Sequence, residues 1–356
     1  TFTHDFIEDL DEIPFFDYEL LLCSEDSYNS YSLHSLFPLV DNKKSITVMA
    51  SRGCPFYCTF CSSWTIHGRQ MRYNSINRLR DDFERIKDLY GAKRLVFYDD
   101  MFLADKERGH QILAILKDLE MTCFFPSSLA LYTLDRKMLE ALKSVGVNHI
   151  VLSIESGSSK VLKLMRKPLK LDITERVIND CNELDIATDV SILMGLPSET
   201  KQDIEDARSF FKSIKPTWFR FSVATPLVGT ELLDIAREND NIKGDYINCD
   251  YKKGIIETED FSPAYIEEKI YFCNLKFNFV LNNDYVSGNY SRALKGFENA
   301  IRVRPDHAFA SYFAAKSYKK IGLEEEYLTY KTKYLDIISE SKFWKDYANK
   351  FSLSGF

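Results

Sequence analysis

From Ser45 to about Glu238 the chain repeats one pattern, a short run rich in β-branched and aromatic residues followed by a longer amphipathic stretch. Strand candidates are Ile46–Ala50, Arg94–Tyr98, Cys123–Ser127, His149–Ile154, Thr188–Met194 and Trp218–Val223. Helical periodicity falls between them at Ile76–Tyr90, Lys106–Leu119, Asp135–Val145, Ile173–Leu184 and Ser198–Ile214, with Ser198 as an expected cap and a sixth helix after Thr230. Strands separated by whole helices pair in parallel through crossovers. Six such units predict an α/β fold, an open, partial (β/α)6 TIM-like barrel rather than the closed eight-fold form. A barrel of this kind carries its site at the carboxyl ends of its strands.

A chain of 356 residues with 45% hydrophobic content has room for one large domain and a small one. The net charge of -7 argues against binding nucleic acid through bulk electrostatics. No run of 18 apolar residues occurs, and the first thirty residues are acidic and aromatic, without the basic head and apolar stretch of a signal peptide. A cytoplasmic protein is expected. Of eight cysteines, Cys23, Cys123, Cys181, Cys249 and Cys273 are scattered, as suits a reducing compartment, and each is expected to be buried filler.

The other three stand together in Arg52-Gly53-Cys54-Pro55-Phe56-Tyr57-Cys58-Thr59-Phe60-Cys61, a C-x3-C-x2-C triplet directly after the first strand. Three thiolates with no fourth would hold three irons of a four-iron cluster and leave one iron open. Zinc would need a fourth ligand, and the nearest candidate, His67, lies six residues past Cys61, outside the usual spacings. Small hydrophobic packing or a disulfide is the plain alternative, at odds with the neighbouring Gly53 and Pro55.

The triplet, with Phe60 just before its last cysteine, resembles the radical S-adenosylmethionine (SAM) enzymes, and Ser51-Arg52-Gly53-Cys54-Pro55-Phe56 with Cys61-Ser62 most resembles the branch associated with a cobalamin-binding domain. The resemblance implies a [4Fe-4S] cluster on Cys54, Cys58 and Cys61, with SAM chelating the open iron. Phe60 then lies beside the adenine. Tyr98, Asp99 and Asp100, after the second strand, fall where the family meets the methionyl amine, although the carboxylates also read as a cap for the helix near Asp105.

Ser153 and Glu155, on one side of the fourth strand, fall where the family meets the ribose or the methionyl group. A salt bridge from Glu155 to Arg166 or Lys167 is the structural alternative. Met194-Gly195-Leu196-Pro197-Ser198-Glu199-Thr200 is similar to a family Gly-Leu-Pro-x-Glu-Thr string, and Thr225 and Pro226 to a loop near the adenine. The chain departs from its relatives after the third strand, where Pro126-Ser127-Ser128-Leu129-Ala130 stands in place of a frequent arginine for the SAM carboxylate.

Residues 45–240 are thus expected to form the radical SAM core, and 1–44 a linker-like segment. Within it Asp9 to Tyr18 resembles the connection to an upstream cobalamin domain. The Asp-x-His-x-x-Gly cobalt-binding loop does not occur; Asp306 and His307 are adjacent and do not supply it. Residues 241–280 read as connecting and partly helical. Residues 281–356 read as a tetratricopeptide-like helical appendix, from Gly288, Tyr290, Ala293, Phe297, Ala300 and Pro305, continued by Tyr318 and Gly322, with an ordinary helical hairpin as the alternative.

The function implied is reductive cleavage of SAM to begin radical chemistry on an unidentified small molecule or peptide, by methyl transfer or rearrangement in specialised metabolism. A methylthiotransferase-like enzyme and a non-catalytic scaffold acting through the appendix are the competing readings. The partners implied are an electron donor such as flavodoxin or ferredoxin and a protein at the appendix, with no membrane and no nucleic acid. Cobalamin stays open, with no binding domain in this chain.

Overall fold

The computed structural model describes residues 6–21, 36–127 and 129–353. Their parallel strands are β1 (Ser45–Val48), β4 (Arg94–Phe97), β5 (Thr122–Phe124), β6 (His149–Glu155), β7 (Ala187–Met194) and β8 (Trp218–Val223), and a two-residue hairpin of β2 (Ser51–Arg52) and β3 (Arg72–Tyr73) follows β1. The expected parallel α/β architecture is present, but as two three-stranded ladders, β1-β4-β5 and β6-β7-β8, with no ladder joining them among the described residues. Strand β5 ends at Phe124, short of the expected Ser127, because Pro126 has no N–H to continue the pairing.

Side chains close the seam instead. Val96, Phe124 and Val151, on one face of β4, β5 and β6, form a small cluster with Phe37 and Val40. The Phe37 ring lies 4.8 Å from that of Phe124 and 5.5 Å from that of His149, so it spans both ladders. The other face of the strands, with Leu95, Phe97, Leu152, Ile154, Val190 and Phe219, packs into the main core against the helices.

Those helices are α1 (Ser63–His67), α2 (Ile76–Tyr90), α3 (Lys106–Asp118), α4 (Arg136–Ser144), α5 (Ser159–Leu164), α6 (Leu171–Glu183), α7 (Lys201–Ser213) and α8 (Glu231–Glu238). Side-chain caps set where most of them begin: Ser75, Asp105, Asp135, Ser158, Thr200 and Thr230 each accept a hydrogen bond from the backbone N–H three residues on. Two expectations are corrected. Thr200, in a reciprocal capping box with Asp203, opens α7 in place of Ser198. Asp105 itself caps α3, which frees Asp99 and Asp100 from that duty.

Beyond the barrel come α9 (Pro263–Leu275), a wider turn over Lys276–Val280, and α10 (Asn283–Val286), α11 (Tyr290–Val303), α12 (Ala308–Ile321), α13 (Glu324–Glu340) and α14 (Lys342–Lys350). They own a second core of Phe279, Phe297, Phe309, Phe313, Tyr334 and Trp344. The Asn278 amide joins this region to β8 by pairing with both backbone groups of Phe219, at 2.7 and 2.8 Å, so the sheet edge is covered. No described helix is long and apolar enough to cross a membrane.

Residues 6–21 lie as a strap along the hairpin and α2. Arg72 donates to Ile7 O, Asn74 to Leu10 O, and Arg78 to Asp11 O and Ile13 O, while Tyr18 Oη donates to Thr47 O.

Candidate active site

The cysteine loop runs from β2 to α1, and its shape is imposed by backbone bonds. Gly53 has φ of 95°, and a Cβ there would stand 2.2 Å from Gln70 O, so only glycine fits. Cys54 N donates to Gly68 O and Cys61 N to Cys58 O, both at 3.2 Å. Between them Thr59 N donates to Met165 O at 3.0 Å, and Leu232 N to Thr59 O at 2.8 Å. The triplet is therefore tied to three neighbouring segments. Arg69 braces its outer side, donating to Phe56 O and lying over the rings of Tyr57 and Trp64.

Cys54, Cys58 and Cys61 all line one cleft of about 240 Å³ that opens to solvent at the carboxyl ends of β1, β4, β5 and β6. The cleft brings to them Phe60, Tyr98, Asp99, Asp100, Ser153 and Glu155. Four residues singled out in the sequence are not among its lining. Met194 is buried in the main core, and Gly195 N donates to Glu199 Oε2 at 2.6 Å. Thr225 Oγ1 donates to Val223 O and Asp250 O, both at 3.2 Å, beside Pro226 in a closed turn. Residues given no role in the sequence also line the cleft, Phe56, Met101, Leu129, Leu131 and Tyr132 among them, and Lys167, expected only as a salt-bridge partner of Glu155, lines it too. For all but Lys167, which follows α5, the signal was topological, since each lies in a segment leaving a carboxyl strand end or in the cysteine loop. Ser128, the residue at the departure after the third strand, lies outside the described residues.

Charges in the cleft are mostly engaged. Asp99 is buried, accepts from Ala50 N at 3.1 Å and Ser51 Oγ at 2.6 Å, and is pushed up to about 6 because burial outweighs those bonds. Asp100 accepts from Gly53 N at 3.2 Å and pairs with His67 Nδ1 at 2.7 Å. His67 thus serves Asp100 rather than the thiols. Glu155 sits at a β-bulge with φ of 70°, a conformation that a non-glycine residue adopts only when its surroundings enforce it. Lys167 Nζ lies 3.6 Å from its carboxylate, while Arg166 is engaged by Glu231 at 2.5 and 2.8 Å. Burial raises the Glu155 carboxyl, and Lys167 opposes it.

Residues 48–211 match the Radical SAM superfamily. The chain carries a radical SAM domain. It is 29% identical to an uncharacterized methyltransferase, PH0819, of Pyrococcus horikoshii, over 65% of this chain and 48% of that protein. It is 26% identical to cytidylyl-2-hydroxyethylphosphonate methyltransferase of Streptomyces wedmorensis, over 63% of this chain and 43% of the relative. The chain spans just under half the length of these relatives. The apo structure of the cobalamin-dependent SAM radical enzyme OxsB superposes with a TM-score of 0.53 at 14% identity, covering 91% of this chain and 57% of that one, and shares the fold.

A radical SAM domain implies a [4Fe-4S] cluster and SAM, and the donor set fits the cluster. Three soft thiols face one cleft, and no group of three or more His, Cys, Asp or Glu side chains among the described residues is arranged around a single metal ion. Burial raises the Cys54 thiol and pushes Cys58 up to about 11, with Lys167 drawing Cys58 the other way. Metal binding deprotonates such thiols outright.

Proposed function

We propose that this chain binds a [4Fe-4S] cluster through Cys54, Cys58 and Cys61 and cleaves SAM reductively to begin radical chemistry on a carbon substrate. When bound, a reduced cluster supplies one electron to split a sulfonium–carbon bond of SAM. The observation that carries the reading is the convergence of the three thiols on the same cleft as Asp99, Asp100 and Glu155.

In this reading Phe60 lies along the adenine, Asp99 or Asp100 receives the methionyl amine, and Ser153 and Glu155 face the ribose or the methionyl group. Lys167 is the cation for the SAM carboxylate, in place of the arginine often found after the third strand in the family the chain resembles; it lines the cleft and is 3.6 Å from Glu155. Met194, Gly195, Thr225 and Pro226 act from behind, by shaping the strand ends.

The outcome we favour is methyl transfer, on the strength of relatives named as methyltransferases, including a bacteriochlorophyllide d C-8(2)-methyltransferase of Chlorobaculum tepidum. The electron would come from a flavodoxin- or ferredoxin-like donor in a reducing cytoplasm. The helical region is a candidate surface for a protein partner.

Anaerobic reconstitution tests the core of this. About four irons per chain are expected, with release of 5'-deoxyadenosine from SAM under dithionite, and Cys58→Ala is expected to abolish both. Fewer than about one iron per wild-type chain refutes the reading. Transfer of the label from methyl-labelled SAM into the product then separates methyl transfer from rearrangement.

A further inference from the structure

The cleft lining is of two chemical kinds. One is polar: the thiols, the carboxylates of Asp99, Asp100 and Glu155, and Lys167. The other is apolar: the Tyr132 ring meets Phe56 edge-on at 5.9 Å, its hydroxyl lies 3.7 Å from Met101 Sδ, and Leu129 and Leu131 stand in the same loop. Tyr132 is 39% exposed, so this apolar lining presents an aromatic face to whatever enters.

The cleft offers an anion little. Among the described residues Lys167 is the one cation in its lining, and it is already paired with Glu155. Nearby Arg166 is held by Glu231, and Arg69 is held between Tyr57 and Trp64 outside the cleft. With Lys167 committed to Glu155 and, in the proposed reading, to the SAM carboxylate, a further phosphate or carboxylate would have to leave water beside three carboxylates with no second cation in the described lining, which is strongly unfavourable. An apolar ring system would instead cover Tyr132 and Phe56 and keep water from the reacting carbon.

We infer that the substrate is uncharged and ring-bearing, seated against Tyr132 and Phe56, with the buried Met101 and Leu131 backing them. The inference rests on the radical SAM reading for the reaction, but the apolar lining itself does not.

Two fluorescent probes of the same skeleton test it on reconstituted, SAM-loaded protein: N-phenyl-1-naphthylamine, which is neutral, and 8-anilinonaphthalene-1-sulfonate, which adds one negative charge. The neutral probe is expected to bind at least about tenfold more tightly. Tyr132→Asp is expected to weaken it by about tenfold, and Tyr132→Lys to shift preference toward the sulfonate, with the iron content of each variant reporting a folded chain. Equal or tighter binding of the sulfonate by wild type, or neutral-probe binding indifferent to both substitutions, overturns the inference. Absence of SAM cleavage with the charge preference intact would instead count against the radical reading alone.

Discussion

The two half-sheets are built from the same strand–helix unit, yet their carboxyl ends have opposite fates. The ends of β1, β4 and β5, with β6 beside the seam, open onto the cleft. Those of β7 and β8 are sealed by their own chain. Glu199 accepts from Gly195 N and Leu196 N, Val223 N donates to Tyr251 O, Thr225 holds Asp250 O, and Ile266 of α9 presses on Gly195. The repeat supplies a scaffold, and the segment following each strand decides whether that scaffold end becomes a site. At β6 the strand's alternation puts Ser153 and Glu155 on the cleft side while Ile154 stays in the core, and the pairing with β7 becomes irregular between them.

A matched pair of glycine substitutions breaks this comparison most forcefully. Gly53→Ala places a methyl 2.2 Å from Gln70 O at a φ of 95°, inside the loop that aims the thiols. Iron after reconstitution is expected to fall from about four to below about one per chain. Gly195→Ala is strained by its own φ of 92° and meets Ile266 at 3.0 Å. It should lower stability by about 1 to 3 kcal/mol while each folded chain keeps its iron. Equal iron loss in both variants would mean that the two ends are not functionally distinct.

What could be read from the sequence follows how local the signal was. Helix α2 runs from Ile76 to Tyr90 as expected because Ser75 and Gly91 mark its two ends chemically. The cysteine loop was legible because three side chains of one rare type fall within eight positions. Ser198 was mistaken for a cap because Ser198 and Thr200 both offer a hydroxyl, and only Asp203, reaching back three residues, selects Thr200.

The β2–β3 hairpin is two residues per strand, too short for any periodic pattern. The Phe37 closure depends on contacts across the fold that no local pattern contains, whereas the expected pairing of Glu155 is found with Lys167, Arg166 being taken by Glu231. Cys123, Cys181 and Cys273 are buried as expected, Cys249 is partly exposed, and Cys23 lies outside the described residues. Helices do occupy the C-terminal region, although nothing in their packing singles out the tetratricopeptide form over another helical array.

A smaller effect sharpens the account of the sealed half. Burial raises the Glu199 carboxyl from 4.5 to about 7, with Asp203 adding to the shift and Lys160 and two backbone N–H groups opposing it. A raised carboxyl binds a proton more readily in the folded chain than in the unfolded one. Its contribution is therefore fully present below about pH 4.5 and is lost as pH rises through about 7. Glu199→Gln should flatten that part of the stability profile in thermal melts and leave the iron content unchanged. A slope identical to wild type would show that Glu199 does not titrate in this window.

The helical region supplies the opposite sign and the smallest expected effect. His307 is buried with its ring 4.8 Å from that of Phe279 and 4.9 Å from that of Trp344, and its Nδ1 accepts from Ala310 N to cap α12. Burial lowers it from 6.5 to about 4, with Arg304 adding to the shift and Asp306 opposing. The unfolded chain then binds the proton first, so this contribution is present above about pH 6.5 and fades as pH falls toward about 4. A charged ring would also lose the lone pair that accepts from Ala310. His307→Asn keeps a capping oxygen and cannot titrate, so α12 should hold its amide-exchange protection through this range while wild type loses it. Since Glu199 stabilises the barrel over much of the same acid range, exchange read region by region should show the appendix loosening before the strands. Simultaneous loosening would mean that the two cores, joined through Asn278 and β8, unfold as one unit.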